Sequence, residues 1–396
     1  MHNTYPDILK KFFYSETTND YTLEKITRAC AYFGNPQNSF KSIHIAGTNG
    51  KGSVSKMIFQ ILKEACKRVW VYTSPHNIDI RERFETANCK TIHSMDCFVP
   101  RNDANLISED DFARLAMHII DIGLELSYYE KCVILAFLYF REQECEYAVI
   151  EVGLWGRLDA TNIIKPILSI ITSISYDHME FLGNTLEAIA SEKWWIIKQK
   201  IPVILYGSNP TLESIAEKNS APLIFPEPRS VITNMLGEHQ ISNARIAYEA
   251  GIFLGIEKGI IESALLHVDH HGRLEYIRPN LLIDGAHNED GMKKLKVYLN
   301  REQPKWDKII LAFNLKEGKH ASLVLDIFPE IASWNVIDSH GFNVSKAKSI
   351  AEQIEKYWKQ VSLVTPERVF EAAEKNPRTL FVVFGSLYMM EEFLWK

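Results

Sequence analysis

Two patterns of apolar residues alternate along the chain. Short β-branched or continuously apolar runs are separated by stretches in which apolar residues recur every three or four positions. Ser42, Ile43, His44 and Ile45 form the first such run, and the stretch after it carries Val54, Met57, Ile58, Ile61, Leu62 and Ala65 on one helical face. RVWVYTS (68–74), YAVIEV (147–152), ILSIITSIS (167–175) and PVILYG (202–207) read as further strands, with helices over 109–142. Strands and helices in alternation predict a mostly parallel sheet covered by helices. Residues 86–108 are polar and Asn-rich with no clear period, so a loop long enough to act as a flap is expected there. A second series follows in NLLIDGAHN (280–288), KIILAFN (308–314), WNVIDS (334–339), QVSLV (360–364) and TLFVVFGS (379–386). Each run leads into a helical stretch, which predicts a second α/β domain. The boundary is expected in HHGRLEYIRP (270–279), where His, Gly, Arg and Pro break the apolar period.

Composition supports two domains and narrows the partners. A chain of 396 residues exceeds what one core usually supports, and 46% hydrophobic content suits soluble packing. A net charge of -6 argues against a nucleic-acid protein, whose footprint is a basic excess. The N-terminal MHNTYPDILKKFF lacks the apolar core of a targeting signal, and no apolar run approaches the roughly 20 residues of a membrane span. A cytoplasmic location with no membrane partner is expected. All 6 cysteines fall in the first 145 residues without a C-x-x-C pair, so they read as reduced and structural. Cys89 and Cys97, at the ends of a loop, leave a disulfide or zinc site open.

Chemistry enters at FKSIHIAGTNGKGS (40–53), where the first strand runs into a glycine-rich turn. Gly47, Gly50 and Gly52 let consecutive N–H groups face phosphate oxygens, Lys51 reaches the β and γ phosphates, and Ser53 offers a hydroxyl to Mg²⁺. The following helix aims its positive N-terminus at the same anion. ATP is the expected nucleotide. Gly52 separates the lysine from the hydroxyl, a departure from the strict Gly-x-x-x-x-Gly-Lys-Ser/Thr spacing.

Glu151 closes a buried strand, the place from which an acidic residue holds Mg²⁺ opposite a nucleotide. In the turn behind it, Arg157 supplies a cation for an anionic substrate and Asp159 an acceptor for a polar ring edge. Asp177 and His178 end another apolar strand at the carboxyl edge, where open α/β sheets bind ligands. His178 reads either as a second metal ligand through neutral imidazole or as a loop histidine bonded to backbone. Lys193 reads as a charge donor, as a carbamylated lysine, or as an exposed helical ion pair with Glu187 or Glu192.

GTNGKGS, TSPH (73–76), RERF (81–84), EVGL-x-GRLDATN (151–162), DH (177–178), EK (192–193), HQ-x-x-NA (239–244), GRLE (272–275), DGAHN (284–288) and FGSL (384–387) together resemble the folylpolyglutamate synthase/dihydrofolate synthase family, Mur-type ATP-dependent amide ligases. The resemblance runs from about Leu23 to Leu387. It implies the α/β class: a P-loop-type, mostly parallel sheet domain that binds ATP over 1–272, then a smaller Rossmann-like α/β domain for glutamate ligation over 273–396. It also implies that Thr48, Asn49, Gly50, Lys51, Gly52 and Ser53 hold the triphosphate, with Asn243, Arg273, Asp284 and His287 at the nucleotide. Ser53, Ser74, Glu151 and His178 would surround two Mg²⁺ ions. Lys51, Glu151, His178, Lys193 and His287 would carry catalysis, with Lys193 carbamylated. Ser127, Tyr128, Tyr129 and Glu130, with Leu158, Asp159 and Ala160, would hold the pterin. The implied partners are dihydropteroate or a folate and L-glutamate, acted on by a monomer.

Tryptophans stand where the family carries small residues, at Trp70, Trp155, Trp194 and Trp195. Trp155 replaces a glycine, so a strained positive φ is expected there, costing roughly 1–2 kcal/mol. Asn77, Ser175 and KEGKH (316–320) are milder departures. Either the indoles line a reshaped substrate pocket, or they crowd the site and leave a nucleotide-binding homologue with impaired or lost turnover. Another Mur-type amide ligase is a further alternative, although it usually brings an extra N-terminal domain for which there is no room before Phe40.

Overall fold

The computed structural model describes residues 4–14, 22–87, 105–179, 183–341, 343–357 and 359–394. Its first sheet holds β1 (Lys41–Ala46), β2 (Val69–Tyr72), β3 (Phe84–Ala87), β4 (Tyr147–Glu151), β5 (Leu168–Ile171), β6 (Val203–Leu205) and β7 (Leu223–Ile224) in the order β3-β2-β4-β1-β5-β6-β7. All neighbours run parallel except β3, which returns antiparallel to β2. Strands of a parallel sheet are covered on both faces, which is why β1, β2, β4 and β5 read as near-continuous apolar runs. On one face, helices Lys51–Glu64 and Glu238–Phe253 enclose Ile43, Ile45, Val149 and Ile170. On the other, helices Glu109–Asp121 and Tyr128–Glu142 pack with Trp70, Tyr72 and Ile150.

The second sheet holds β8 (Glu275–Arg278), β9 (Leu281–Asp284), β10 (Lys308–Phe313), β11 (Ser333–Ile337), β12 (Gln360–Val364) and β13 (Thr379–Phe384) in the order β12-β11-β10-β13-β9-β8. It too is parallel except at one edge, where β8 pairs antiparallel with β9. β1 lies between β4 and β5, with Ile45 opposite both Glu151 and Ile170. The carboxyl ends of these three strands therefore open side by side.

Two expectations are corrected, on the 86–108 loop and on Trp70. The loop expected over 86–108 begins as strand: Thr86 and Ala87 finish β3, and Leu106 bridges Glu85. Residues 88–104, with Cys89 and Cys97, lie outside the described residues, while Cys30, Cys66, Cys132 and Cys145 are free thiols. The stretch 270–279, where the domain boundary is expected, contains β8, an edge strand of the second sheet that is only partly buried and whose register shifts between Tyr276 and Arg278. Trp70 is core, fully enclosed within β2. No helix among the described residues is long and apolar enough to cross a membrane.

Candidate active site

The glycine loop leaves β1 at Gly47, with φ 146°, and enters helix Lys51–Glu64 through Gly50, with φ 90°. A Cβ on Gly47 would stand 1.8 Å from Thr172 Oγ1, and one on Gly50 would stand 2.5 Å from Asn243 Oδ1. Neither position admits a side chain, on grounds of backbone conformation and of space. Thr172 Oγ1 donates to Asn49 O at 2.8 Å, Ser173 Oγ donates to the same oxygen at 3.1 Å, and Lys51 Nζ donates to Gly47 O and Thr48 O at 3.1 Å each. Gly52 also has a spatial reason, because a Cβ there would meet His270 Nε2 at 3.2 Å. The hydroxyl displaced to Ser53 is buried and accepts from Gln240 Nε2 at 3.2 Å, while Gln240 Oε1 accepts from Asn243 Nδ2 at 2.8 Å.

Glu151, 3% exposed at the end of β4, accepts the Ser74 N–H at 3.2 Å. Burial pushes its carboxyl above the usual range, against the pull of Lys51 and Arg273. Ser53, Ser74 and Glu151 line one cleft of about 190 Å³ with Lys51, His178, Lys193, Asn243, Arg273, Asp284 and His287. Hydroxyl and carboxylate oxygens suit Mg²⁺, which completes its shell with phosphates and water. Among the described residues no three His, Cys, Asp or Glu gather into a metal cluster.

The far wall comes from the second sheet. Asp284 ends β9 and accepts the N–H groups of Leu274 and Ala286, each at 2.8 Å, fixing the turn that carries Arg273 and His287. Burial raises the Asp284 carboxyl and lowers the Arg273 guanidinium. Asp177, after β5, joins the two walls: its oxygens take Asn288 Nδ2 at 2.8 Å and Lys319 Nζ at 2.9 Å, with His287 Nε2 at 3.5 Å. Burial works against the ionised form of Asp177, yet His287, His178 and Lys319 hold it well below the usual carboxylate range. Asn49 Nδ2 in the phosphate loop donates to Asn288 Oδ1 at 3.1 Å and to Asp290 Oδ2 at 2.6 Å. His178 lines the cleft with φ 49°, an uncommon left-handed conformation for a non-glycine residue.

Lys193 ends helix Leu186–Lys193, is 2% exposed, and donates to Leu154 O at 3.2 Å. Burial, with the Lys51 charge nearby, lowers its ammonium to about 7. Its reading as an exposed helical ion pair is therefore corrected. Glu192 pairs instead with Arg157, at 3.7 Å. Asp159 is buried and accepts five donors, from Gly153 N, Leu154 N, Thr161 N, Thr161 Oγ1 and the Tyr129 hydroxyl. Ser127 and Glu130 form a capping box on helix Tyr128–Glu142, and Tyr128 stacks on Phe13 with centroids 4.8 Å apart. Leu158 is half-buried and Ala160 belongs to the core.

The tryptophan expectations change as well. Trp155 has no positive φ, so the expected backbone strain is absent; the left-handed non-glycine residues that line the cleft are His178 and Leu274, with φ 49° and 46°. Trp194 and Trp195 stack on each other, centroids 4.3 Å apart, and neither they nor Trp155 line the cleft. Sequence reasoning passed over Gln240, Asn288, Lys319 and His270. The first three stood inside the quoted HQ-x-x-NA, DGAHN and KEGKH segments, but the contacts that make them matter span 142 positions in the case of Lys319 and Asp177.

A phosphate loop and a buried carboxylate facing the edge of a second α/β sheet define a nucleotide-dependent enzyme of the Mur-ligase type, and the Mur ligase middle domain model matches residues 115–227. The chain is 29% identical to dihydrofolate synthase/folylpolyglutamate synthase of Bacillus subtilis, over 93% of each chain. It is 31% identical to dihydrofolate synthetase of Saccharomyces cerevisiae, over 71% of this chain and 72% of that one. The crystal structure of folylpolyglutamate synthase from Thermotoga maritima superposes with a TM-score of 0.80 at 27% identity, covering 99% of this chain and 97% of that one. The chain belongs to the dihydrofolate synthase/folylpolyglutamate synthase family.

Proposed function

We propose that this protein joins L-glutamate to a pterin-bearing carboxylic acid, dihydropteroate or a (tetrahydro)folate, at the expense of ATP and through an acyl phosphate. The observation that carries the reading is the cleft itself, in which the phosphate loop, Glu151 and Lys193 of one sheet face Arg273, Asp284 and His287 of the other. The acceptor carboxylate attacks the γ-phosphorus and ADP leaves. The glutamate amine then attacks the acyl carbon, phosphate departs with one former carboxylate oxygen, and an amide remains. Lys51 neutralises charge on the transferred group, and the Gly50–Ser53 turn cradles the phosphates. Ser53, Ser74, Glu151 and His178 would hold two Mg²⁺ ions, which supply further charge neutralisation when bound.

Lys193, lowered to about 7, is substantially neutral at physiological pH, the form that takes up CO₂ to become a carbamate with release of a proton. Residues 1–272 act as the ATP domain and 273–396 as the glutamate-ligase domain. His287 lies near the incoming amine, and closure of one domain on the other excludes water from the acyl phosphate. The pterin lies between residues 127–130 and 158–160. The enzyme works as a cytoplasmic monomer. Phosphate release measured with ATP and Mg²⁺ should require both glutamate and acceptor, and dihydropteroate and tetrahydrofolate assayed in parallel identify the acceptor. ATP binding without glutamate-dependent phosphate from either acceptor overturns the reading.

A further inference from the structure

Behind the cleft wall, a line of buried groups runs from the strand of the phosphate loop to Lys193. His44 of β1 and Thr161 are fully buried, with His44 Nε2 and Thr161 Oγ1 2.9 Å apart. Thr161 Oγ1 donates to Asp159 Oδ1 at 2.6 Å, and Asp159 Oδ2 accepts Gly153 N at 3.0 Å and Leu154 N at 3.2 Å. The carbonyl of the same Leu154 receives Lys193 Nζ. We propose that His44 and Thr161 are positioning residues for Lys193, a role that rests on Lys193 being the reacting lysine of the proposed function.

The proton directions are fixed along this line. Burial raises the Asp159 carboxyl, but the five donors that converge on it match an ionised carboxylate. The single hydroxyl proton of Thr161 goes to that carboxylate, so His44 donates through Nε2–H, and its Nδ1 has no hydrogen-bond partner among the described residues. Burial, with Lys198 nearby, holds His44 down to about 3, so the ring stays neutral across the working range. A second contact ties the same loop to the lysine. A Cβ on Gly156 would stand 2.2 Å from Glu192 O and 2.9 Å from Lys193 Cα, so the loop backbone lies directly on the helix end that presents Lys193. Displacing Asp159 moves the Leu154 carbonyl and the surface against which Lys193 rests, and small misplacements of reacting groups are costly.

The test compares Thr161→Val and His44→Leu, which break the line, with Thr161→Ser and His44→Gln, which keep a hydroxyl and an N–H donor. Two quantities are read: kcat and KM for ATP in glutamate-dependent phosphate release, and the carbamate resonance of Lys193 in ¹³C NMR with labelled bicarbonate. The breaking variants are expected to lower kcat by about tenfold or more and to weaken the carbamate resonance, with KM for ATP within about twofold. The conservative variants should recover most of both. If Thr161→Val fails to fold, the His44 pair makes the same comparison. Equal losses in breaking and conservative variants, or a lowered Tm with kcat and carbamate intact, overturn the proposal. A wild-type enzyme without the carbamate resonance, whose kcat survives Lys193→Ala, instead overturns the reading of Lys193 and with it the purpose of the line.

Discussion

The two walls of the cleft are built by different means. The first is made of backbone: glycines at 47, 50 and 52 have neighbours on the space a side chain would fill, and the loop carbonyls are held by Thr172, Ser173 and Lys51. The second meets it through side chains, with Asn288 and Lys319 on Asp177 and Asn288 on Asn49. A backbone-packed wall has one geometry, whereas a wall joined by polar side chains can separate and rejoin. On the proposed function, the phosphoryl chemistry that needs fixed distances belongs to the first wall and the proposed closure to the second.

Lys51→Ala breaks this contrast most severely. It should lower kcat by on the order of 10³-fold with little change in Tm, since among the described residues Lys51 donates hydrogen bonds to its own loop. Gly50→Ala comes next. Strain of about 1–2 kcal/mol, added to the clash with Asn243, should weaken nucleotide binding by about tenfold or more in a direct titration. Asp177→Asn should cost about 1–3 kcal/mol and change kcat and KM together, because it strikes closure and not transfer. Asp177 is ionised well below the ordinary carboxylate range, so the stability it contributes is complete above that range and fades as pH falls below it. Kinetics that changed only in KM for ATP would contradict its place as the link between walls.

For Lys193 the sign runs the other way. Its pKa is depressed, so the neutral amine predominates above about 7, and bicarbonate stimulation should rise with pH through that value and vanish below it. Trp194→Ala and Trp195→Ala should change kcat by less than about twofold, since the stacked pair does not line the cleft. A larger loss would return the tryptophans to the active site.

How much of this was legible in the chain follows the same division. The first wall was readable because strand, glycines, lysine and hydroxyl are contiguous, and Glu151 ends a strand whose apolar run is unmistakable. Even there, the tight fit at Gly52 comes from His270, 218 positions away in sequence and 3.2 Å from the added Cβ. The second wall was readable as motifs but not as contacts, because nothing in DGAHN says that Asn288 meets Asn49 and Asp177. Trp155 shows the opposite error: a glycine-to-tryptophan departure suggested strain, but its backbone stays outside the left-handed region while His178 occupies it. Ser127 and Glu130 illustrate a third case, since they form a capping box, a local structural role beside the pterin contact proposed for them.

The central claim is that the cleft activates a carboxylate with ATP before glutamate attacks it. Supplying acceptor labelled with ¹⁸O in its carboxyl group tests this directly. The phosphate released in the presence of glutamate should carry one ¹⁸O atom from that carboxyl; glutamate-dependent phosphate free of the label would contradict activation through an acyl phosphate.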